Sequence, residues 1–347
     1  MKKSNFSIDE REYFTRRLDD FLASRNWDRR EFNNKVIYTK NGSEYPPINF
    51  LDRSPKKILS SPIVIIKEME GYFLRGGYRR RVENNIAIDG GVRDTFLIGA
   101  GVQYFRECFW GDETPLGGSY FLPQPVIRMN SLKRICEGFT SSFVNTSTVK
   151  LYADFDEYIE CLDNWFSLFS NLGLYIGDFN LEIISSERYG QGKKGNWSYT
   201  DGFSVSINYL NLNLGDAGFI RIPHKAKYLE IIDIGFGLER ILWALYKSPS
   251  YFDMIGPKTE TKNLRINLMD SVRSATLLSM SNIENANKDS YNQFRKFTKI
   301  ASSYYSLFDC FKLVEHYYSF WSQFILPQKS LSYTYSFLDA KISEEVA

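Results

Sequence analysis

The chain has 347 residues, enough for one large domain plus a smaller one around a substantial core. Hydrophobic residues make up 43% and charged ones 24%, near the globular average, and aromatics at 16% exceed what a disordered chain carries. A formal net charge of +2 excludes a global field that advertises nucleic acid or membrane, so any such contact must be a local patch. The four cysteines, Cys108, Cys136, Cys161 and Cys310, show no CxxC spacing, which argues against a disulfide framework and a thiolate zinc site. The start, MKKSNFSIDEREYF, lacks the apolar segment of a secretory signal, and no run approaches a membrane span. A soluble cytoplasmic protein is the expectation.

In chain order, residues 9–27 place Phe14, Leu18, Phe21 and Leu22 on one stripe, which predicts an amphipathic helix. Short apolar runs broken by turn residues follow, among them Pro62–Ile66 and residues 87–97 with Asp89-Gly-Gly91 as a turn. FLPQPVIRMN, flanked by Gly117-Gly118, reads as a strand entry. Residues 156–173 predict a second amphipathic helix carrying Ile159, Leu162, Phe166 and Phe169. FSVSINYLNLNL, residues 203–214, alternates apolar and polar positions as a half-buried strand does. Ile231-Ile232 is a short strand and residues 238–246 a helix, and from about Asn263 the pattern is mostly helical. Strands in antiparallel-looking runs, with helices before, between and after them, favour α+β. A boundary near residues 249–262 separates a mixed part, 1–257, from a helical domain, 258–347.

The segment IIDIGFGLERILWALY, residues 231–246, breaks an apolar run with an aspartate, two glycines and a Glu-Arg pair. Gly235 and Gly237 precede a helix start, where free N–H groups and a partial positive charge suit phosphate. Arg240, in the first turn, brings a planar fork of donors to the same space. Asp233 has two partners open to it, Arg240 or the ammonium group of a ligand. The alternative is a tight strand–helix turn with a solvated Glu-Arg pair. No third glycine and no parallel βαβ context accompany the segment, which argues against a Rossmann site.

DIGFGLERILW resembles motif 3 of the class II aminoacyl-tRNA synthetases, and in particular the D-T-G-Y/M-G-L-E-R form of the alanyl-tRNA synthetases. The resemblance implies an antiparallel sheet flanked by helices and followed by a helical domain, with Arg240 holding ATP and Asp233 receiving the amino acid's ammonium. Motif 2 has two candidates. Phe73-Leu-Arg75-Gly-Gly with Glu83-Asn84 and Arg93 resembles the bacterial pattern, whereas Gln124-Pro-Val-Ile-Arg128-Met-Asn130 followed by Gly138-Phe-Thr-Ser-Ser-Phe143 resembles the archaeal one. The second is preferred, because a strand-borne Arg128 is better preorganised than an arginine in the loop-like RGGYRRR. It makes Arg128 and Arg240 the catalytic pair, with Phe143, Gly235 and Gly237 also on ATP and Phe143 stacking on adenine. Trp197 and Asn208 resemble residues of the amino-acid pocket. The cluster Arg75, Arg79, Arg80 and Arg81 reads as a solvated turn rather than a phosphate contact.

The reaction that the resemblance implies is attack of a carboxylate on the α-phosphate of ATP, expelling pyrophosphate, with Mg²⁺ as cofactor and Glu230 as a guess for its ligand. The substrate is alanine or another small amino acid, and the acceptor is tRNA, a carrier protein, a peptide or an amine. Class II catalytic domains are often dimeric, so a homodimer is one expectation. Asp270, Arg273, Arg295, Lys296 and Lys299 fall where the family's tRNA-recognition domain starts, and with only His224 and His316 no HxxxH editing site is expected. These features imply a truncated, specialised paralogue. Departures occur at Ser131, Phe139, Thr140, Val144, Asn145 and Ile234, on substrate- and ATP-facing positions. A catalytically inactive subunit that senses an amino acid is the alternative.

Overall fold

The computed structural model describes residues 6–40, 47, 49–52, 62–87, 97–105, 117–129, 131, 135, 138–184, 201–224, 227–254, 256–257, 266–304 and 309–346. Nine strands form one sheet: β1 (Trp27–Phe32), β2 (Lys35–Lys40), β3 (Arg79–Arg80), β4 (Gly118–Ile127), β5 (Ser142–Leu151), β6 (Phe179–Ile184), β7 (Asp201–Tyr209), β8 (Leu212–His224) and β9 (Lys227–Gly237). Their order across the sheet is β1-β2-β6-β7-β8-β9-β5-β4-β3, antiparallel throughout except for the short β3–β4 pair. Eight α-helices accompany it among the described residues, so the expected α+β architecture is present.

One face of the sheet is apolar and carries helices α1 (Ile8–Ser24), α2 (Pro62–Arg75) and α3 (Phe155–Leu172). The stripe predicted near the N-terminus appears in α1, whose Phe14, Leu18 and Leu22 are buried and whose Ser7 and Glu10 form a reciprocal capping box. Helix α3 is bounded by the same device at Asp154 and Glu157 and ends at Gly173 in the left-handed region, φ 98°. Its Trp165 is fully buried against Phe73 and Phe236, and the indole N–H donates to Thr148 Oγ1 at 2.8 Å.

Three segments differ from the reading by pattern. Pro62–Ile66 is not a short run between turns but the opening of the 14-residue α2, with proline at a first-turn position where its missing N–H costs nothing. Residues 203–214 are not one strand: Leu210 at φ 53° and Asn211 make a two-residue turn between β7 and β8. The short strand at Ile231-Ile232 is part of an 11-residue β9 that runs to Gly237. The turn expected at Asp89–Gly91 lies outside the described residues, although Ala87 and Leu97 on either side form an antiparallel bridge.

Strand β4 contains Pro123 and Pro125, which face β5 partners Thr146 and Val144. Neither proline can donate a ladder bond, and both nitrogens sit on the side away from β5, past the two residues that pair with β3.

After β9, α4 (Leu238–Tyr246) is followed by α5 (Ile266–Met280), α6 (Lys288–Ser302), α7 (Cys310–Trp321) and α8 (Leu331–Val346). A single cluster of buried apolar side chains extends from Phe14 of α1 to Leu338 of α8. Truncating Trp165 to alanine removes its ring contacts and leaves Thr148 without its donor. The expected loss is about 3–5 kcal/mol of unfolding free energy, measured by chemical denaturation.

Candidate active site

The opposite face of the sheet is divided along its length. At one end Tyr120, Leu122, Val149, Leu151, Ile220, Leu229 and Ile231 form an apolar patch capped by Val102 and Phe105 of the turn Gly101–Phe105. At the other end, where β9 feeds α4, the same face carries polar residues and glycine. Alternation puts Asp233, Gly235 and Gly237 of β9 on this side, beside Val149, Ser147 and Asn145 of β5.

A bulge completes the polar end. On β8, Leu212 and Leu214 point into the main core, and so do Ala217 and Phe219, so the side-chain parity changes between them. The pairing with β7 steps from Asn208↔Asn213 to Ile207↔Gly215, which leaves Leu214 as the extra residue. Asn213 and Asp216, three apart, therefore share the polar face. Gly215 lies under the bulge, where a Cβ would come within 2.0 Å of the Gly235 carbonyl oxygen.

Five of the expected residues meet here: Arg128, Phe143, Arg240 and the two glycines, Gly235 and Gly237. Arg128 directly follows β4; its Nε donates to the Gly99 carbonyl at 2.8 Å and its guanidinium lies 5.1 Å from the centre of the Phe143 ring. Phe143, 8% exposed, packs with Ile98 and Val126. Arg240 rises from the first turn of α4. Its Nη1 donates to Asn213 Oδ1 at 2.9 Å, its Nε donates to the Gly138 carbonyl at 3.2 Å, and its guanidinium lies 3.9 Å above the Phe139 ring. The two glycines do not supply an unusual backbone, since Gly237 has φ −73°, but they keep the floor bare. A Cβ at Gly235 would reach 3.0 Å from Asn145 Oδ1, and one at Gly237 would meet Arg240 and Phe143 at 3.7 Å.

Asp233 and Asp216 sit diagonally across β9 and β8, opposite Gly218 and Gly235. Both keep solvent-accessible surface, Asp216 the more exposed, yet both are desolvated as groups enclosed by protein are. Enclosure pushes the Asp233 carboxyl up to about 7, Arg128 pulls it down and Asp216 raises it further. Asp216 is raised by the same enclosure, opposed by a hydrogen bond from Ser206 and by Arg128 and Arg240. No hydrogen bond or ion pair to a described residue engages the Asp233 carboxyl. The Asp233–Arg240 pairing left open by the sequence is thus not formed, because Arg240 turns to Asn213.

Asn208 belongs to a chain of amides that ends at that arginine. Asn213 Nδ2 donates to Asn208 Oδ1 at 3.2 Å and to Ser206 Oγ at 2.8 Å, and Asn208 Nδ2 donates to Asn180 Oδ1 at 3.2 Å. Trp197 lies outside the described residues. Glu230, the guess for a metal ligand, is corrected: it is on the other face, accepting from Arg221 Nε at 2.9 Å. Among the described residues no group of three or more His, Cys, Asp or Glu could hold a metal ion. The solvated Glu-Arg pair is also overturned, since Glu239 is fully buried and bonded to Arg273 of α5. Of the rival motif 2, Arg75 ends α2 and is exposed, while Arg79 donates to the Tyr120 hydroxyl and Arg80 pairs with Glu70.

Sequence reasoning missed Asn213 and Asp216, and it marked Asn145 and Phe139 only as departures from the family pattern. The polar residues within FSVSINYLNLNLGDAG were a visible signal, but the bulge that gathers them was not.

Two outcomes follow. The folded-state pKa of Asp233 lies above its unfolded value near 3.9, so its contribution to stability is complete below about pH 4 and is lost as pH rises through 7. Asp233→Asn should flatten that slope in denaturation midpoints taken across the range. Gly215→Ala should cost about 1–3 kcal/mol, because the contact it creates is with backbone.

No family model matches the chain. An alanine–tRNA ligase from Methanococcus aeolicus is 25% identical over 243 residues, which covers 64% of this chain and 26% of the relative. The chain thus spans about a quarter of the length of the curated relative it matches. Among solved structures, a pyrrolysyl-tRNA synthetase from Desulfitobacterium hafniense aligns over 56% of this chain and 73% of its own, at 15% identity and a TM-score of 0.40. A Giardia lamblia prolyl-tRNA synthetase in complex with prolyl-adenylate aligns over 97% and 82%, at 10% identity and a TM-score of 0.35. Both structural likenesses are loose and carry no weight of their own. The resemblance carried by the motifs is borne out in sequence: this chain is similar to an alanine–tRNA ligase over nearly two thirds of its length.

Proposed function

We propose that the chain is an AMP-forming ligase, which activates alanine or another small amino acid with ATP and passes the acyl group to tRNA or to another acceptor. The observation that carries this reading is the convergence, on one bare stretch of sheet, of two guanidinium groups and a desolvated carboxylate that has no side-chain hydrogen bond among the described residues. Residues 1–257 form the adenylating part in this reading, and 258–347 the helical part.

The groups present suit ATP. Arg128 and Arg240 flank the floor made by Gly235 and Gly237 and supply fixed positive charge for phosphates, without reorganisation at the moment of reaction. Phe143 offers an aromatic surface beside Arg128. Asp233, desolvated and without a side-chain hydrogen bond among the described residues, suits an ammonium group, and binding one restores the charged form that desolvation disfavours. Asp216 adds a second carboxylate near both arginines. Mg²⁺ is commonly held by one or two carboxylates together with substrate phosphates, and Asp216 would serve in that way; bound there, the cation would supply charge neutralisation. The chemistry is attack of the amino acid's carboxylate oxygen on the α-phosphorus as the bond to pyrophosphate breaks, so positioning and charge matter more than a general base. No described helix is long and apolar enough to cross a membrane.

Amino-acid-dependent exchange of pyrophosphate into ATP, run over a panel of amino acids, tests the reading. Arg128→Ala should lower exchange by about 10²–10³-fold, whereas Arg75→Ala should leave it near wild type. The reverse result would mean that motif 2 lies at Arg75. No exchange with any amino acid, in a protein that binds one by calorimetry, would instead favour a sensing subunit.

A further inference from the structure

The helices after α4 touch the proposed nucleotide face through buried polar bonds rather than through apolar packing alone. Asp270 of α5, with no exposed surface, accepts the Ser141 backbone N–H at 2.8 Å. The Ser141 carbonyl in turn accepts the Arg128 backbone N–H at 2.7 Å. One turn further along α5, Ser274 Oγ donates to Ser142 Oγ at 2.9 Å. Arg273, also fully buried, pairs with Glu239 of α4, whose two carboxylate oxygens accept the Val144 N–H at 3.2 and 3.1 Å. Arg273 is itself fixed from α7, between the rings of Phe320 at 4.6 Å and Trp321 at 4.5 Å, with the Trp321 indole N–H donating to its carbonyl at 3.1 Å. Residues 141, 142 and 144, on either side of Phe143, are thus each held by a side chain of α4 or α5.

We infer that Asp270 is a positioning residue: through Ser141 it sets the backbone that carries Arg128, and with the Arg273–Glu239 pair it fixes the start of β5 that presents Phe143. This inference rests on the assignment of Arg128 and Phe143 to ATP proposed above. The Ser141 N–H is a buried donor beside the strand, and a carboxylate acceptor holds it more firmly than a neutral one would. A displacement of about 1 Å at a reacting group can cost 10²-fold in rate, so a bond made two residues before Phe143 and one hydrogen bond from Arg128 is well placed to matter.

The test uses the full chain. Asp270→Ala should lower kcat/KM for ATP in pyrophosphate exchange by about 100-fold while leaving KM for the amino acid near wild type. Asp270→Asn retains an oxygen acceptor for Ser141 and should stay within roughly tenfold of wild type. In parallel, backbone hydrogen exchange should show faster exchange at the Ser141 and Arg128 amides in Asp270→Ala, with amides of β6 and β7 unchanged. Should that variant fail to fold, Ser274→Ala, which removes only the hydroxyl contact with Ser142, should raise KM for ATP without raising it for the amino acid. The inference is overturned if protection falls uniformly with global stability, or if the ATP parameters and the two amides are unchanged in every variant that folds. A wild type without exchange activity sinks the ligase reading alone, because the amide measurement then still decides whether Asp270 sets the Arg128 backbone.

Discussion

The buried pair of Glu239 and Arg273 is the interaction on which the arrangement of the molecule depends. Two charges removed from water cost several kcal/mol each, and only good geometry with further hydrogen bonds recovers that. Here burial pushes the Glu239 carboxyl up, while Arg273 and the Val144 N–H pull it down. The aromatic rings of α7 take the guanidinium's faces. Neither partner can move without stranding the other. The corner between β9 and α4, the return strand β5 and the first of the C-terminal helices are therefore locked in one geometry.

That lock explains why the glycine-bearing corner can be bare. A strand that ends in Gly-Phe-Gly has little side-chain packing to hold it on the exposed side. Its alternate residues Ile232, Ile234 and Phe236 are fully buried in the main core, and Glu239 anchors the first helical turn just beyond. Stability is thus supplied from behind the sheet, and the front is left to polar groups.

Much of this was legible in the sequence where local rules suffice. The stripes of α1 and α3, the strand ahead of Arg128 and the helix after Gly237 follow from periodicity and capping alone. The α+β class follows from their order. What escaped depended on partners distant in the chain. Glu239 looks like a surface residue until Arg273, 34 positions on, is folded against it. The alternation of FSVSINYLNLNL reads as one strand, because nothing local marks Leu210-Asn211 as a turn. The parity change at Leu214 is decided by pairing with β7, so Asp216 could not be placed on the polar face by counting. Phe139 departs from the family pattern, and only its position under the Arg240 guanidinium gives that departure a physical meaning.

The prolines of β4 have a consequence of a different kind. The outward side of that strand is where another extended chain would add itself, and a strand joins an edge by accepting and donating backbone bonds in alternation. At Pro123 and Pro125 the donors do not exist, and the next outward N–H, at Ile127, is already given to Ile98 at 2.8 Å. Between Phe121 and Ile127 this margin therefore offers no backbone donor to another chain. Growth into a larger sheet is thus blocked next to the strand that delivers Arg128, along a margin that Arg81, Glu83 and Ile98 of the same chain already engage.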